Sequence, residues 1–126
     1  MVDLIIKGGQ VVTPAGVGNL DVAVEGEQIV AVAQPGTISP DGARVIDGTG
    51  KIVIPGGIEP HAHIGGPRQP ERSAAEPVSK AAIYGGTTTV LDFATQVAGH
   101  DLLHAMGEAA ERWEGQGYTD YSYHPI

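Results

Sequence analysis

Lys80-Ala81-Ala82-Ile83-Tyr84-Gly85-Gly86-Thr87-Thr88-Thr89-Val90-Leu91-Asp92-Phe93 is the stretch on which the fold turns. Its first part closes a predicted helix over residues 73–84, with Pro77 in the opening turns, where a missing N–H is tolerated. Gly85-Gly86 ends that helix, because glycine takes the left-handed cap conformation cheaply. The β-branched and apolar run at 87–93 then reads as a buried strand. Working outward, Ile52-Val53-Ile54 is a second continuous apolar run, expected to be a strand buried on both faces. Downstream, residues 100–113 have the period of an amphipathic helix stopped by Gly115 and Gly117, and 120–126 begin another strand. Strand, helix, strand, helix, strand predicts βα units on a parallel sheet.

Residues 1 to about 52 have a different texture: short strands with turn punctuation. Residues 4–7 are followed by Gly8-Gly9, and 10–13 by Pro14. Leu20, Val22 and Val24 alternate with Asp21 and Ala23, and Glu25-Gly26-Glu27 predicts a hairpin turn into 28–33. Strands at 44–46 and 51–54 flank the turn Asp47-Gly48-Thr49-Gly50. About fifty residues of such strands cannot bury a large core without a second layer.

Composition narrows the function. The 126 residues carry 15 acidic and 7 basic side chains, a formal charge of −8, and no cysteine. No Lys/Arg cluster offers itself to a phosphate backbone, so no nucleic-acid partner is expected. Disulfides, thiolate metal sites and a cysteine nucleophile are excluded. No apolar run has the length of a signal-peptide core or a membrane span, so no membrane partner and a cytoplasmic location are expected.

The sharpest local feature is Pro60-His61-Ala62-His63. Residues two apart on an extended chain share a face, which points both imidazoles, and Glu59, the same way. Two neutral imidazoles held together are half of a zinc site, although His-x-His alone also describes two loop histidines. His100 and His104 form a second pair at helical spacing. The helical wheel sets them opposite the apolar face of Leu102, Leu103, Met106, Ala109, Ala110 and Trp113, so a solvated face accounts for them. The same explanation covers Glu108, Glu111, Glu114 and Arg112. Asp92, at a strand tip, either orients a histidine or caps the following loop. His124 ends the third strand and reads as structural, and Lys80 as surface.

Four ordered stretches together resemble the cyclic amidohydrolases, the group holding dihydropyrimidinases and hydantoinases. They are Asp3-Leu4-Ile5-Ile6-Lys7-Gly8-Gly9, the run Val53-Ile54-Pro55-Gly56-Gly57-Ile58-Glu59-Pro60-His61-Ala62-His63-Ile64, the run Gly85 through Ala94, and Asp120-Tyr121-Ser122-Tyr123-His124. The resemblance spans essentially the whole chain and implies an α/β fold. Residues 1–52 would be the N-terminal part of a small composite β-sandwich, and 53–126 the first three βα units of a (β/α)₈ TIM-type barrel, which needs about 250 residues in all.

The resemblance also implies two zinc ions per complete subunit, bridged by a carboxylated lysine not present in this segment, with His61 and His63 as metal ligands. Glu59 and Asp92 are candidates for the layer behind those ligands. Glu59 stands where the family usually has Asp. The expected reaction is hydrolytic ring opening of a dihydropyrimidine or 5-substituted hydantoin by a metal-activated hydroxide, with the proton-shuttling catalytic group lying beyond Ile126. Gly65 sits where a dihydroorotase would carry Arg, and the polar stretch 65–72 replaces the family's usual apolar loop. A homo-oligomer, dimer or tetramer, is expected, and the segment alone is expected to be inactive and poorly folded. A non-catalytic scaffold of the same fold, an allantoinase-type enzyme and a small binding module are the alternatives.

Overall fold

The computed structural model of the protein describes residues 1–65 and 74–126, in two compact units, Met1–Pro55 and Gly56–Ile126. The fold is mixed α/β, and each unit has its own sheet. Among the described residues no helix is long and apolar enough to cross a membrane.

The first unit is a sheet of β1 (Leu4–Thr13), β2 (Gly16–Glu25), β3 (Gln28–Ala33), β4 (Arg44–Asp47) and β5 (Ile52–Val53). The path runs β3-β2-β1-β4, with β5 also paired to β1. β1, β2 and β3 are antiparallel neighbours, whereas β4 and β5 run parallel to β1. The hairpin predicted at Gly26 is present, with φ of 59°. The expected break at Gly8-Gly9 is instead a register shift inside one continuous strand. Gly8 takes a positive φ of 71°, and a Cβ on Gly9 would come within 2.5 Å of Val53 Cγ2. Glycine is therefore used here for a bulge and a close approach rather than a turn.

The run Ile52-Val53-Ile54 also departs from expectation. Ile52 and Val53 pair with Gln10 and Val11 of β1, and Ile52 is 73% exposed. This is a two-residue edge pairing in the first unit, not a doubly buried strand. The boundary between units consequently falls after Pro55 rather than after residue 52.

Ile5, Val11, Val22 and Ala23 are buried in this unit, and Asp21 is buried among them. Its carboxylate accepts the Gly36 and Gly8 amides, each at 2.9 Å, pinning the loop after β3 and the bulge to β2. The Gly36 bond holds the Asp21 pKa below its ordinary value; burial opposes this, while the Gly8 amide and the Lys7 charge reinforce it. A lowered folded-state pKa means that the unfolded chain binds the proton more readily. Asp21 thus stabilises the fold above the ordinary carboxylate pKa, and that contribution is lost as pH falls through the folded value. Asp21→Asn should lower the urea midpoint of this unit at neutral pH, and the gap from wild type should close below about pH 4. A gap unchanged down to pH 2 would show that charge plays no part.

The second unit contains β6 (Gly57–Glu59), α1 (Ala75–Tyr84), β7 (Thr87–Ala94), α2 (Leu102–Trp113) and β8 (Asp120–Pro125). Its sheet is parallel in the order β6-β7-β8, as the alternation of patterns predicts. The first strand lies at 57–59, a few residues later than expected. Gly56 precedes it, and a Cβ there would overlap the Thr88 side chain. α1 begins at Ala75, two residues later than expected, because Ala74 is extended (φ −63°, ψ 152°), and Gly86 rather than Gly85 takes the left-handed conformation, at φ 83°.

α2 buries Ala105, Ala109 and Trp113, spaced i, i+4, i+8, whereas Leu103 is 78% exposed. The expected apolar stripe is thus rotated toward the alanines, whose small side chains let the helix approach β7 and β8 closely. Ile64, Ala75, Val90 and Trp113 form one core cluster, and Ala94, Ala105 and Ala109 a second. Tyr123 packs against both, and burial first, then the neighbouring Tyr121, push its phenol pKa up. Buried Ser79 ties the elements together: its hydroxyl donates to Ala75 O at 2.6 Å and accepts the Tyr118 amide at 3.0 Å.

Candidate functional site

Three parallel strands deliver their C-terminal ends to one edge, and the chemistry-bearing side chains gather there. β6 stops at Glu59, since Pro60 has no N–H to offer a ladder. The chain nevertheless stays alongside β7, because the Ala62 amide donates to Leu91 O at 3.0 Å. His61 and His63 flank that bond. Their ring centroids are 5.4 Å apart, with the planes at 62°.

Phe93 lies against both rings. Its ring stacks on His63 at 4.3 Å and 12°, and meets His61 edge-on at 4.7 Å and 64°. Phe93 pairs in register with His124 of β8, which puts their side chains on one sheet face, with ring centroids 5.3 Å apart. His124 Nε2 lies 2.9 Å from Pro60 O. A carbonyl only accepts, so Nε2–H is the donor in this contact. His124, which reads as structural in the sequence, thus holds the main chain directly before His61. Phe93 carries no titratable group, so a search for ligand types passes over it. The alternation of β7 was the signal that could have found it.

That alternation also decides what Asp92 does. Adjacent to Phe93, it points to the opposite face of β7, where it is fully buried. One carboxylate oxygen accepts the Ile64 amide at 2.9 Å and the Phe93 amide at 2.7 Å. The other accepts Trp113 Nε1 at 3.0 Å and lies 3.5 Å from the Arg112 guanidinium. Asp92 therefore meets neither imidazole. Nor does it cap the loop that follows β7: its carboxylate instead fastens the residue after His63, in the segment following β6, to α2. Glu59 works similarly from the other side: its Oε1 accepts the His61 amide at 2.9 Å. Both candidates for the layer behind the ligands act on the backbone around the pair.

The His100 and His104 rings lie 4.0 Å apart, tilted at 35°, and His104 lies 3.5 Å from Glu108, all away from the core. Asp101 caps α2 by accepting the His104 amide at 2.8 Å. Of the polar stretch 65–72, residues 66–72 lie outside the described residues.

Among the described residues no group of three or more His, Cys, Asp or Glu side chains is placed to hold a metal ion. His61 and His63 have the donor chemistry for zinc and would supply half of a tetrahedral set. They fit the metal as a partial site.

No family model matches the chain. Over 97% of its length it is 37% identical to a D-hydantoinase of Streptomyces coelicolor, of which it covers 27%. It is 37% identical to a dihydropyrimidinase of Rattus norvegicus, covering 96% of this chain and 24% of that one. In structure it matches the D-hydantoinase (dihydropyrimidinase) from Thermus sp. with a TM-score of 0.86 and 37% identity, over 97% of this chain and 27% of the other. The strand order, the histidine pair and these matches agree, and the chain is a homologue of the D-hydantoinases and dihydropyrimidinases over nearly all its own length and about a quarter of theirs.

Proposed function

We propose that this chain is part of a metal-dependent cyclic amidohydrolase that opens a dihydropyrimidine or 5-substituted hydantoin ring, and that His61 and His63 are its contribution to the metal site. The observation carrying this reading is the placement of the two imidazoles together at the C-terminal edge of β6-β7-β8, in a chain that matches a D-hydantoinase over 97% of its own length. On this reading β6, β7 and β8 are the first strands of a (β/α)₈ barrel, and the sheet of Met1–Pro55 is part of a β-sandwich. Two zinc ions, a bridging carboxylated lysine, a homo-oligomeric assembly and a cytoplasmic location belong to the same reading.

A divalent ion held there supplies Lewis acidity toward a ring carbonyl and lowers the pKa of water. The chain's own residues present and fix the ligands. Glu59 and His124 hold the backbone on one side of His61, through the His61 amide and the Pro60 carbonyl. Asp92 holds the backbone after His63. These contacts fix the backbone from which the two exposed imidazoles extend, which is what a ligand pair needs before it binds.

The test uses the intact protein. Metal content is measured, and ring opening of dihydrouracil and of a 5-substituted hydantoin is followed by absorbance before and after chelation. The expected result is loss of activity to background on chelation and recovery on adding zinc or cobalt. Ring opening that survives removal of all divalent ions would defeat the metal reading. A protein with neither bound metal nor activity would favour a scaffold of the same fold.

A further inference from the structure

We propose that Phe93 is a positioning residue for the His61–His63 pair, its ring acting as the floor that sets the angle between the two imidazoles. The inference rests on the metal-site reading above and goes beyond it, because Phe93 donates nothing to a metal. Both histidines are exposed, while Phe93 is only 9% exposed beneath them. An exposed imidazole is free to turn about two bonds, and ordering two of them on ligand binding costs entropy. Contact with a fixed aromatic ring removes that freedom in advance.

The geometry is specific to the task. His63 lies parallel to Phe93 and His61 stands on it edge-on, so one ring imposes two orientations, and the imidazole planes differ by 62°. Both arrangements suit the quadrupole of an aromatic ring. The lone pairs of two imidazoles stacked in separate parallel planes cannot meet at one point, whereas tetrahedral coordination needs donors converging on a single ion. The floor itself is held firmly. The Phe93 amide donates to buried Asp92, its carbonyl accepts from Arg112 at 3.3 Å, and His124 touches the ring from the neighbouring strand.

Phe93→Leu and Phe93→Tyr in the intact protein separate positioning from packing. Leucine keeps an apolar side chain but removes the ring, and tyrosine keeps the ring. Two readouts are taken: NMR of the histidine ring protons in metal-free protein, where stacking displaces His63 upfield, and zinc affinity by calorimetry. Phe93→Leu should abolish the upfield displacement and weaken zinc binding by about 10- to 100-fold, the range for removing a group that orients a metal-binding histidine. Phe93→Tyr should retain both properties.

Unchanged zinc affinity in Phe93→Leu, with wild type binding normally, overturns the role of Phe93 and leaves the metal-site reading standing. Wild type that binds no zinc removes both. If Phe93→Leu fails to fold, the wild-type spectrum still decides. Absence of cross-relaxation between the Phe93 ring and the His61 and His63 rings overturns the proposal.

Discussion

Asp92→Ala should be among the most destabilising single substitutions in the second unit, and its effect should reach the histidine pair without touching a histidine. The carboxylate is fully buried and serves the Ile64 amide, the Phe93 amide, Trp113 Nε1 and the Arg112 guanidinium. Alanine leaves the buried Ile64 and Trp113 donors without an acceptor, at about 1–3 kcal/mol each. Arg112 also loses its counter-charge, and breaking a buried charged pair costs about 3–5 kcal/mol, a figure toward whose lower end Arg112's partial exposure points. Asp92→Asn keeps one acceptor oxygen and should cost less. Urea unfolding measures the stability. Hydrogen exchange at the Ile64 amide reports whether the segment after His63 has come loose. An Asp92→Ala protein as stable as wild type, with the Ile64 amide still protected, would show that the network is dispensable.

Replacing His61 or His63 by alanine should have the opposite profile: small in stability and large in metal binding. Both side chains are exposed, so little packing is lost. Each removal takes away one donor of a set that needs about four. Zinc affinity of the intact protein should therefore fall by more than about 100-fold, beyond the loss seen when only a ligand's hydrogen-bond partner is removed. Calorimetric zinc titration and thermal melts on the same samples separate the two quantities. Equal zinc affinity in wild type and both variants would exclude these histidines from any metal site.

What was legible in the sequence was governed by short-range rules. Gly85-Gly86 stops α1, Gly26 turns β2 into β3, and the alternation of strand and helix yields a parallel sheet. His61 and His63 point to one place because residues two apart on an extended chain do so. What escaped depended on partners far along the chain. Ile52-Val53-Ile54 is as apolar as a buried strand, and only its pairing with Gln10 and Val11 reveals an edge in the first unit. Leu103 outranks Ala105 in hydrophobicity, yet close packing of α2 against the sheet selects the smaller residue. His124 reads as a lone strand-end histidine, because nothing local connects it to Pro60, 64 residues away. Asp92 lies at the expected strand tip, but the partners its carboxylate finds, Ile64 and Trp113, are 28 and 21 residues away and meet it only in the folded chain.

The division of labour between Asp92 and Phe93 makes β7 sensitive to length in a way that substitutions do not reveal. Neighbours on one strand serve opposite faces, a charged clasp toward α2 and an aromatic floor toward the histidines. Removing one residue between Thr87 and Leu91 would leave Asp92, Phe93 and their partners chemically intact. It would nonetheless turn the carboxylate toward the imidazoles and the phenyl ring toward Trp113. Insertions and deletions in this strand are thus the changes that natural variation and protein engineering should tolerate least. The surface loops can drift in length, but the spacing along β7 is part of the site.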